Sequence, residues 1–128
     1  MIVDSSALVA VVDREPEHEA FLALIIDSSS RLSVANWLET CLVLDKRSPA
    51  HGRRLDELVD SLGIEIVPVS VEQGGVAREA HRRFGRGTGS PARLNFGDCF
   101  AYALAITTGE PLLFKGTDFT HTDLHGAL

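Results

Sequence analysis

The chain has 128 residues, of which 45% are hydrophobic and 23% charged, with a formal net charge of −6 at pH 7. The composition is ordinary for a soluble globular protein, and the length predicts one domain over residues 1–128. No apolar run is long enough to cross a membrane, no signal peptide is expected, and we expect a cytoplasmic protein with reduced cysteines. The acidic total by itself disfavours nucleic-acid binding, although it can conceal a local basic stripe.

The first dozen residues predict a short buried strand followed at once by a helix. Ile2 and Val3 run directly into Asp4, and Ser5 and Ser6 then stand where a helix N-cap belongs. Asp4 is therefore expected at the carboxyl end of a strand, where ligands collect in parallel α/β sheets. The alternative is that Asp4 only caps the helix.

Strands and helices alternate along the rest of the chain. Further strands are predicted at residues 31–34, 64–69 and 111–114, and the tail 122–128 leaves room for one more. Further helices are predicted at residues 18–26, 37–44, 50–62, 71–84 and, capped by Asn95, around 95–106. The alternation predicts an α/β fold, with a central parallel sheet of four to five strands and helices on both faces.

Two of these helices are unusually apolar. The segment 37–44 is apolar on nearly every face, which predicts a buried helix. The segment 100–106 is apolar all round, which predicts a central helix. Pro68 marks either the end of the third strand or an edge position in the sheet.

Four carboxylates fall at the carboxyl-end edge of the predicted sheet, or on helices that begin there: Asp4, Glu39, Asp98 and Asp118. If the strands are adjacent, the four side chains converge. Each has a structural alternative: Asp98 forms a capping pair with Asn95, Glu39 forms a salt bridge to an arginine, and Asp118 is a turn residue.

Clustered carboxylates repel one another, so such a group persists by taking up protons or by binding a cation. Hard oxygen ligands of this kind suit Mg²⁺ or Mn²⁺, and such a metal supports phosphate chemistry. Ser6 is a candidate donor to Asp4. A glycine-rich loop over residues 85–94 precedes Asp98, and its flanking arginines are candidates to hold a nucleic-acid backbone: Arg82, Arg83, Arg86 and Arg93. The alternative is a solvated loop with scattered charges.

Four stretches together resemble one family. They are Ile-Val-Asp-Ser-Ser-Ala-Leu at the start, Asn-Trp-Leu-Glu-Thr, Leu-Asn-Phe-Gly-Asp-Cys-Phe-Ala-Tyr-Ala-Leu-Ala, and Leu-Leu-Phe-Lys-Gly-Thr-Asp-Phe. In order and at this spacing they resemble a PIN domain, and more narrowly the VapC toxins of type II VapBC toxin–antitoxin systems.

The resemblance implies a three-layer α/β/α fold and a Mg²⁺-dependent endoribonuclease, with Mn²⁺ as the alternative metal, that cleaves tRNA, rRNA or mRNA to halt translation. It also implies a homodimer, either free or within a larger complex with a VapB-type antitoxin. The tail of that antitoxin would enter the active site. The runner-up is a catalytically silent PIN fold that only binds protein. A receiver-type phosphoacceptor domain is disfavoured, because the strand at 64–69 ends without an acid.

Carried onto this chain, the family's catalytic positions are Asp4, Glu39, Asp98, Asp118 and Ser6, and its metal ligands are Asp4, Asp98 and Asp118. Lys115 joins the arginines as a candidate RNA contact. Many relatives have Asn or Arg before the last aspartate, whereas Lys115-Gly-Thr stands here. Whether Asp118 or Asp123 completes the site is therefore left open.

Overall fold

Four short parallel strands form the centre of the computed structural model, which describes all 128 residues. The strands are β1 Ile2–Val3, β2 Arg31–Ser33, β3 Glu65–Val67 and β4 Leu112–Leu113, in the order β3-β2-β1-β4. In β1, Ile2 pairs with Arg31 of β2 on one side and with Leu112 of β4 on the other. All four carboxyl ends thus lie at one edge, with the end of β1 at its middle.

The predicted parallel sheet is confirmed, with two adjustments at its ends. The third strand stops at Val67, before Pro68, and lies at the edge of the sheet. Pro68 thus follows the end of the strand, and the strand lies at the edge of the sheet. Both positions suit proline, which cannot donate a ladder hydrogen bond. The tail adds no strand, since only Gly126 forms an isolated bridge, to Leu112.

Six helices surround the sheet, and a short 3₁₀ turn follows β4. They are α1 Ser5–Val12, α2 His18–Ile26, α3 Val34–Arg47, α4 Pro49–Ser61, α5 Val71–Phe84 and α6 Phe96–Thr108, with the turn at Asp118–His121. No helix has both the length and the apolar character that a membrane crossing requires.

The side chains of β1 divide the core into two halves. Val3 and Leu113 pack with buried residues of α1 to α4, whereas Ile2 and Leu112 pack with residues of α5 and α6. Successive strand residues point to opposite faces, so each half lies on its own side of the sheet. Fully burying such side chains contributes about 1.5–3 kcal/mol each. The three-layer α/β/α fold predicted from the sequence is confirmed.

Helix α3 begins at Val34, three residues before the predicted start. Ser33 ends β2 and its Oγ accepts a hydrogen bond from the amide of Ala35 at 3.3 Å, which makes Ser33 the N-cap. The strand therefore passes into the helix without a loop. The earlier start places Asn36 inside the first turn, one turn before Glu39.

The prediction that this helix is buried on nearly every face is wrong. Its buried residues are Asn36, Thr40 and Leu44, four apart on one side. Leu38 is 51% exposed and Leu42 is 62% exposed. The helix packs against its neighbours through one side only, and a sequence that is apolar all round does not say which side that is.

Helix α6 is central, as predicted. The residues Ala101–Ala105 are all at most 3% exposed, and the helix packs mainly against α5 and α3 and also contacts β1, β2 and β4. Its N-cap is Asn95, which forms a capping box with Asp98. Its C-cap is Gly109, whose φ of 70° is the left-handed conformation that favours glycine at a helix end.

Candidate active site

Asp4 lies where β1 passes into α1, and its two carboxylate oxygens differ. Oδ2 accepts hydrogen bonds from the amide and the hydroxyl of Ser6, at 3.0 and 2.6 Å. Oδ1 is buried without a partner. Burial raises the pKa of Asp4 to about 6, against the two Ser6 hydrogen bonds, and the charges of Asp98 and Glu39 raise it further. Asp4 therefore caps α1 and also presents one unused oxygen.

The Ser6 hydroxyl connects Asp4 to the end of β4. Besides donating to Asp4, its Oγ accepts a hydrogen bond from the backbone amide of Lys115 at 2.9 Å. The predicted contact between Ser6 and Asp4 is present, and the orientation of the carboxylate is set by two separate parts of the chain.

Glu39 is held by Ser5 and Asn36 rather than by an arginine. Ser5 Oγ donates to Glu39 Oε1 at 2.5 Å, and Asn36 Nδ2 lies 3.4 Å from the same oxygen. Asn36 Nδ2 also donates to the carbonyl of Gly97 at 2.9 Å, which ties α3 to the first turn of α6. No cation pairs with Glu39, so the salt-bridge alternative is wrong.

Ser5 and Asn36 are the site residues that the sequence interpretation missed. Ser5 was counted only as a possible helix cap, yet it is 9% exposed and bonds to Glu39. Asn36 stands three residues before Glu39, so the two share a helix face. With the helix start placed at Val34, this three-residue spacing would have predicted that Asn36 lies beside Glu39.

Gly97 leaves the space that the Glu39 carboxylate occupies. A Cβ at this position would overlap the carboxylate, lying only 2.7 Å from Cδ and 2.8 Å from Oε1. Real Cβ atoms do not come this close, so any side chain at residue 97 displaces Glu39. The glycine before Asp98 therefore leaves room for the Glu39 carboxylate where α3 comes close.

Asp98 caps α6 and also lies among the other acids. The amide of Asp98 donates to Asn95 Oδ1, and Asp98 Oδ2 accepts from the amide of Asn95, each at 2.9 Å. Burial raises the pKa of Asp98, the Asn95 amide opposes this, and the charges of Asp118 and Glu39 raise it further. The capping alternative is thus correct, while Asp98 still belongs to the group of interacting acids.

Asp118 and Asp123 have different surroundings. Asp118 opens the 3₁₀ turn, is exposed, and acts electrostatically on Asp98. Asp123 accepts a hydrogen bond from the Tyr102 hydroxyl at 2.7 Å and pairs with Arg83 at 3.6 Å. Of the two candidates, the structure brings only Asp118 toward the other acids.

The predicted basic residues divide into two groups. Arg86 acts on Asp98 and lowers its pKa, and its Nε donates to the carbonyl of Arg93 at 3.3 Å. Arg82 instead pairs with Glu79 at 3.4 Å on the surface of α5, and Arg83 is directed to Asp123. Arg82 and Arg83 therefore do not converge on the acids.

The glycine-rich loop is closed at its base, which positions the first group. Leu94 donates to the carbonyl of Phe84 at 2.9 Å, and the Arg86 amide donates to the carbonyl of Leu94 at 3.0 Å. Because the two ends of the loop are joined, Arg86 and Arg93 are held beside the start of α6.

Lys115 lies beside the acids of the site, but carboxylates already surround its ammonium group. Its Nζ lies 2.6 Å from Glu15 and 3.2 Å from Glu17. Hydrogen bonds to these two groups raise the pKa of Lys115. An RNA phosphate at this position would compete with both glutamates.

The acids open onto a shallow hollow of about 370 Å³. Its polar lining includes Asp4, Ser5, Ser6, Glu39, Asn95, Asp98 and Lys115. No three histidine, cysteine or acidic side chains lie close enough together to hold a metal ion unaided. The hard oxygen donors and the unpartnered Asp4 Oδ1 nevertheless fit a divalent ion that retains several waters, as Mg²⁺ usually does.

Comparison with known proteins identifies the fold and the family. A model of the PIN domain matches residues 1–124. The chain belongs to the PIN domain family. Among similar proteins, this PIN domain is 48% identical to ribonuclease VapC42 of Mycobacterium tuberculosis and to VapC ribonuclease Mb2780c of Mycobacterium bovis, over 99% of this chain and 98% of each relative. It is 47% identical to ribonuclease VapC28 of M. tuberculosis, over 100% of this chain and 98% of the relative. Within the family, it groups with the VapC ribonucleases.

Solved structures support the same fold at low sequence identity. M. tuberculosis VapC20, described as a sarcin-ricin loop cleaving toxin, matches this PIN domain with a TM-score of 0.77 at 17% identity, over 96% of this chain and 95% of that one. VapBC2 of Rickettsia felis, solved with a promoter DNA fragment, matches with a TM-score of 0.68 at 15% identity, over 98% and 94%.

Proposed function

We propose that the chain is a divalent-metal-dependent endoribonuclease of the VapC type, with Mg²⁺ as its metal and Mn²⁺ as a substitute. One observation supports this most strongly. Asp4 Oδ1 is buried, has no partner, and lies in a hollow with Glu39 and Asp98, whose charges act on it. Such an arrangement is costly unless a cation or a proton compensates the charge.

The metal would be held by Asp4 through Oδ1, by Asp98 and, directly or through water, by Asp118. When bound, it supplies a polarised water and charge stabilisation on the attacked phosphate. Ser6 fixes the carboxylate of Asp4, and contacts of this kind commonly tune a metal ligand. Asn95 fixes the rotamer of Asp98 through the capping box.

Glu39 is the group that we propose accepts a proton from the attacking water. Its Oε1 receives the hydrogen bonds from Ser5 and Asn36, which leaves Oε2 for the reaction. A positioned carboxylate of this kind is an effective general base. Arg86 and Arg93, held by the closed loop, would contact the RNA backbone.

Cleavage of total cellular RNA by the purified protein tests this function. With Mg²⁺ or Mn²⁺ we expect discrete fragments, and with EDTA none. Asp98→Asn should abolish cleavage while keeping a side-chain oxygen for the cap. The matched control is Asp123→Asn, which changes an acid outside the proposed site and should retain activity. If Asp123→Asn is inactive and Asp118→Asn is active, the assignment of Asp118 is wrong.

We further propose that the enzyme acts as the toxin of a toxin–antitoxin pair, as its VapC relatives' names suggest. An arginine of the VapB-type antitoxin would enter the acidic hollow and form charge-assisted hydrogen bonds there. The combined variant Asp4→Asn and Asp98→Asn should bind the antitoxin encoded beside it more weakly in calorimetry. Unchanged affinity would rule out insertion into the acidic hollow.

A homodimer is the proposed free form of the toxin. Leu38 and Leu42 project from α3 with more than half of each side chain exposed, and such apolar surface is commonly covered by a partner. Sedimentation equilibrium should give a dimer, and Leu42→Glu should shift it to monomer.

The competing function, a silent protein-binding PIN fold, predicts no cleavage by a folded, antitoxin-free protein.

A further inference from the structure

Phe96 is a large aromatic side chain in an unusual position. It is the first residue of α6, stands two residues before Asp98, and is 80% exposed. Its ring lies edge-on to Phe100, with the ring centroids 4.9 Å apart and an interplanar angle of 85°. Phe100 therefore supports the Phe96 ring while leaving much of its surface open to solvent.

An apolar hollow of about 410 Å³ lies beside this ring. Ala77 of α5 and Cys99 and Phe100 of α6 contribute to it, and Gly74 adds no side chain to its wall. The volume is within the range of about 300–1,000 Å³ that is usual for small-molecule sites.

The rim of the hollow carries the positive charge of Arg78. Arg78 and His81 line it on α5, and Arg78 forms no salt bridge with a carboxylate. An arginine without an acidic partner at the rim of an apolar pocket matches an aromatic base attached to an anionic backbone. It disfavours the basic antitoxin segment proposed above.

We propose that Phe96 is a substrate-binding residue that stacks on an unpaired base of the RNA substrate near the cleaved phosphate, with Arg78 contacting the adjoining backbone. The proposal rests on the proposed ribonuclease function and adds a contact that favours an unpaired nucleotide over a paired one. Every base has a face on which an aromatic ring can stack. Phe96 and Asp98 both stand in the first turn of α6, but two residues apart they face different sides of the helix. The stacked nucleotide would therefore lie around the N-terminal end of α6 from the acidic hollow.

Binding of single-stranded RNA to cleavage-deficient Asp98→Asn protein tests the contact apart from catalysis. The probes are RNA 12-mers with the fluorescent base 2-aminopurine at each position in turn. We expect quenching at one position, and a dissociation constant that Phe96→Ala raises about 5- to 150-fold, the range for a lost base–aromatic stack. Phe96→Trp should preserve both quenching and affinity. Ile106→Ala, at the other end of α6, is the matched control.

Two further measurements separate stacking from other roles. Replacing the quenched nucleotide by an abasic one should weaken binding to the parent protein but add nothing to Phe96→Ala. Arg78→Gln should lower the slope of log affinity against log salt by about 0.7, as for one lost phosphate contact.

Equal binding by Phe96→Ala, or loss of affinity that is independent of the base, would overturn the proposal. Conversion of the dimer to monomer by Phe96→Ala would overturn it too, since the ring would then belong to a protein interface. If the protein binds RNA as expected but does not cleave it, the result counts against the nuclease function and not against the stacking contact. The binding assay does not depend on catalysis.

Discussion

Substitution of Gly97 by alanine is the sharpest test of how the site is built. The added Cβ would overlap the Glu39 carboxylate, which is the flexible end of its side chain and can move away. Moving it breaks the 2.5 Å hydrogen bond from Ser5. A hydrogen bond to a charged group contributes about 1.5–3 kcal/mol, and alanine in a helix regains about 0.5–1 kcal/mol over glycine.

We therefore expect Gly97→Ala to lower the free energy of unfolding by about 1–2 kcal/mol. For a chain of this size that corresponds to a fall in melting temperature of roughly 3–8 °C. Activity should fall much further, about 100-fold, because misplacing a reacting group by 1 Å can have that effect. Thermal unfolding and single-turnover cleavage of a fixed RNA measure the two losses.

A matched control and a double-mutant cycle identify the cause. Gly75 is inside α5, where an added Cβ meets nothing within 4 Å, so Gly75→Ala should stabilise the fold by about 0.5–1 kcal/mol and leave activity intact. In a Glu39→Ala background, Gly97→Ala should no longer destabilise the protein. Additive effects of the two substitutions, or full activity of Gly97→Ala, would refute the close approach and with it the placement of Glu39.

Three other predictions concern contacts around the site and at the opposite edge of the sheet. Ser6→Ala removes the 2.6 Å bond to Asp4 and should weaken metal affinity about 10- to 100-fold; titration of Mg²⁺ in the cleavage assay measures this, and unchanged metal dependence would count against it. Asn36→Ala leaves the Gly97 carbonyl without its donor and should lower the free energy of unfolding by about 1–3 kcal/mol in urea denaturation. Burial raises the pKa of Glu110, but bonds from the N-terminal ammonium and from Arg31 outweigh it and lower the pKa below 4.5. Their contribution, about 1 kcal/mol for such a partly exposed cluster, is present above pH 4.5 and is lost as the pH falls through the folded-state pKa. The stability difference between the parent and Glu110→Gln should accordingly vanish in acid, and a difference independent of pH would contradict this account.

The acids at the strand ends were predictable because their positions follow from local rules. Ile2 and Val3 before Asp4, and Asn95 three residues before Asp98, each mark an element boundary. In a parallel sheet such boundaries meet at one edge. The sequence left the adjacency of the strands as a condition, and the structure meets it for β1, which pairs with both β2 and β4 in the order β3-β2-β1-β4.

The remaining features depend on tertiary contacts that no local pattern records. The apolar sequence around Leu38 and Leu42 did not indicate that one side of α3 stays open to solvent. The role of Asn36 was hidden by placing the helix start three residues late. The separation of Arg83 from Arg86 depends on Tyr102 and Asp123, which follow Arg83 by 19 and 40 residues in the sequence.

The middle position of β1 in the sheet has a consequence for the synthesis of the protein. Asp4 is made first, but its strand pairs with β4 at Leu112–Leu113, and the Ser6 hydroxyl that orients it is held by the amide of Lys115. Asp118 comes later still. A nascent chain that has exposed only its first hundred residues lacks Lys115 and Asp118, so both must leave the ribosome before the acidic hollow is complete. Under the proposed toxin–antitoxin pairing, an antitoxin already present at that moment would meet the enzyme as it first becomes competent.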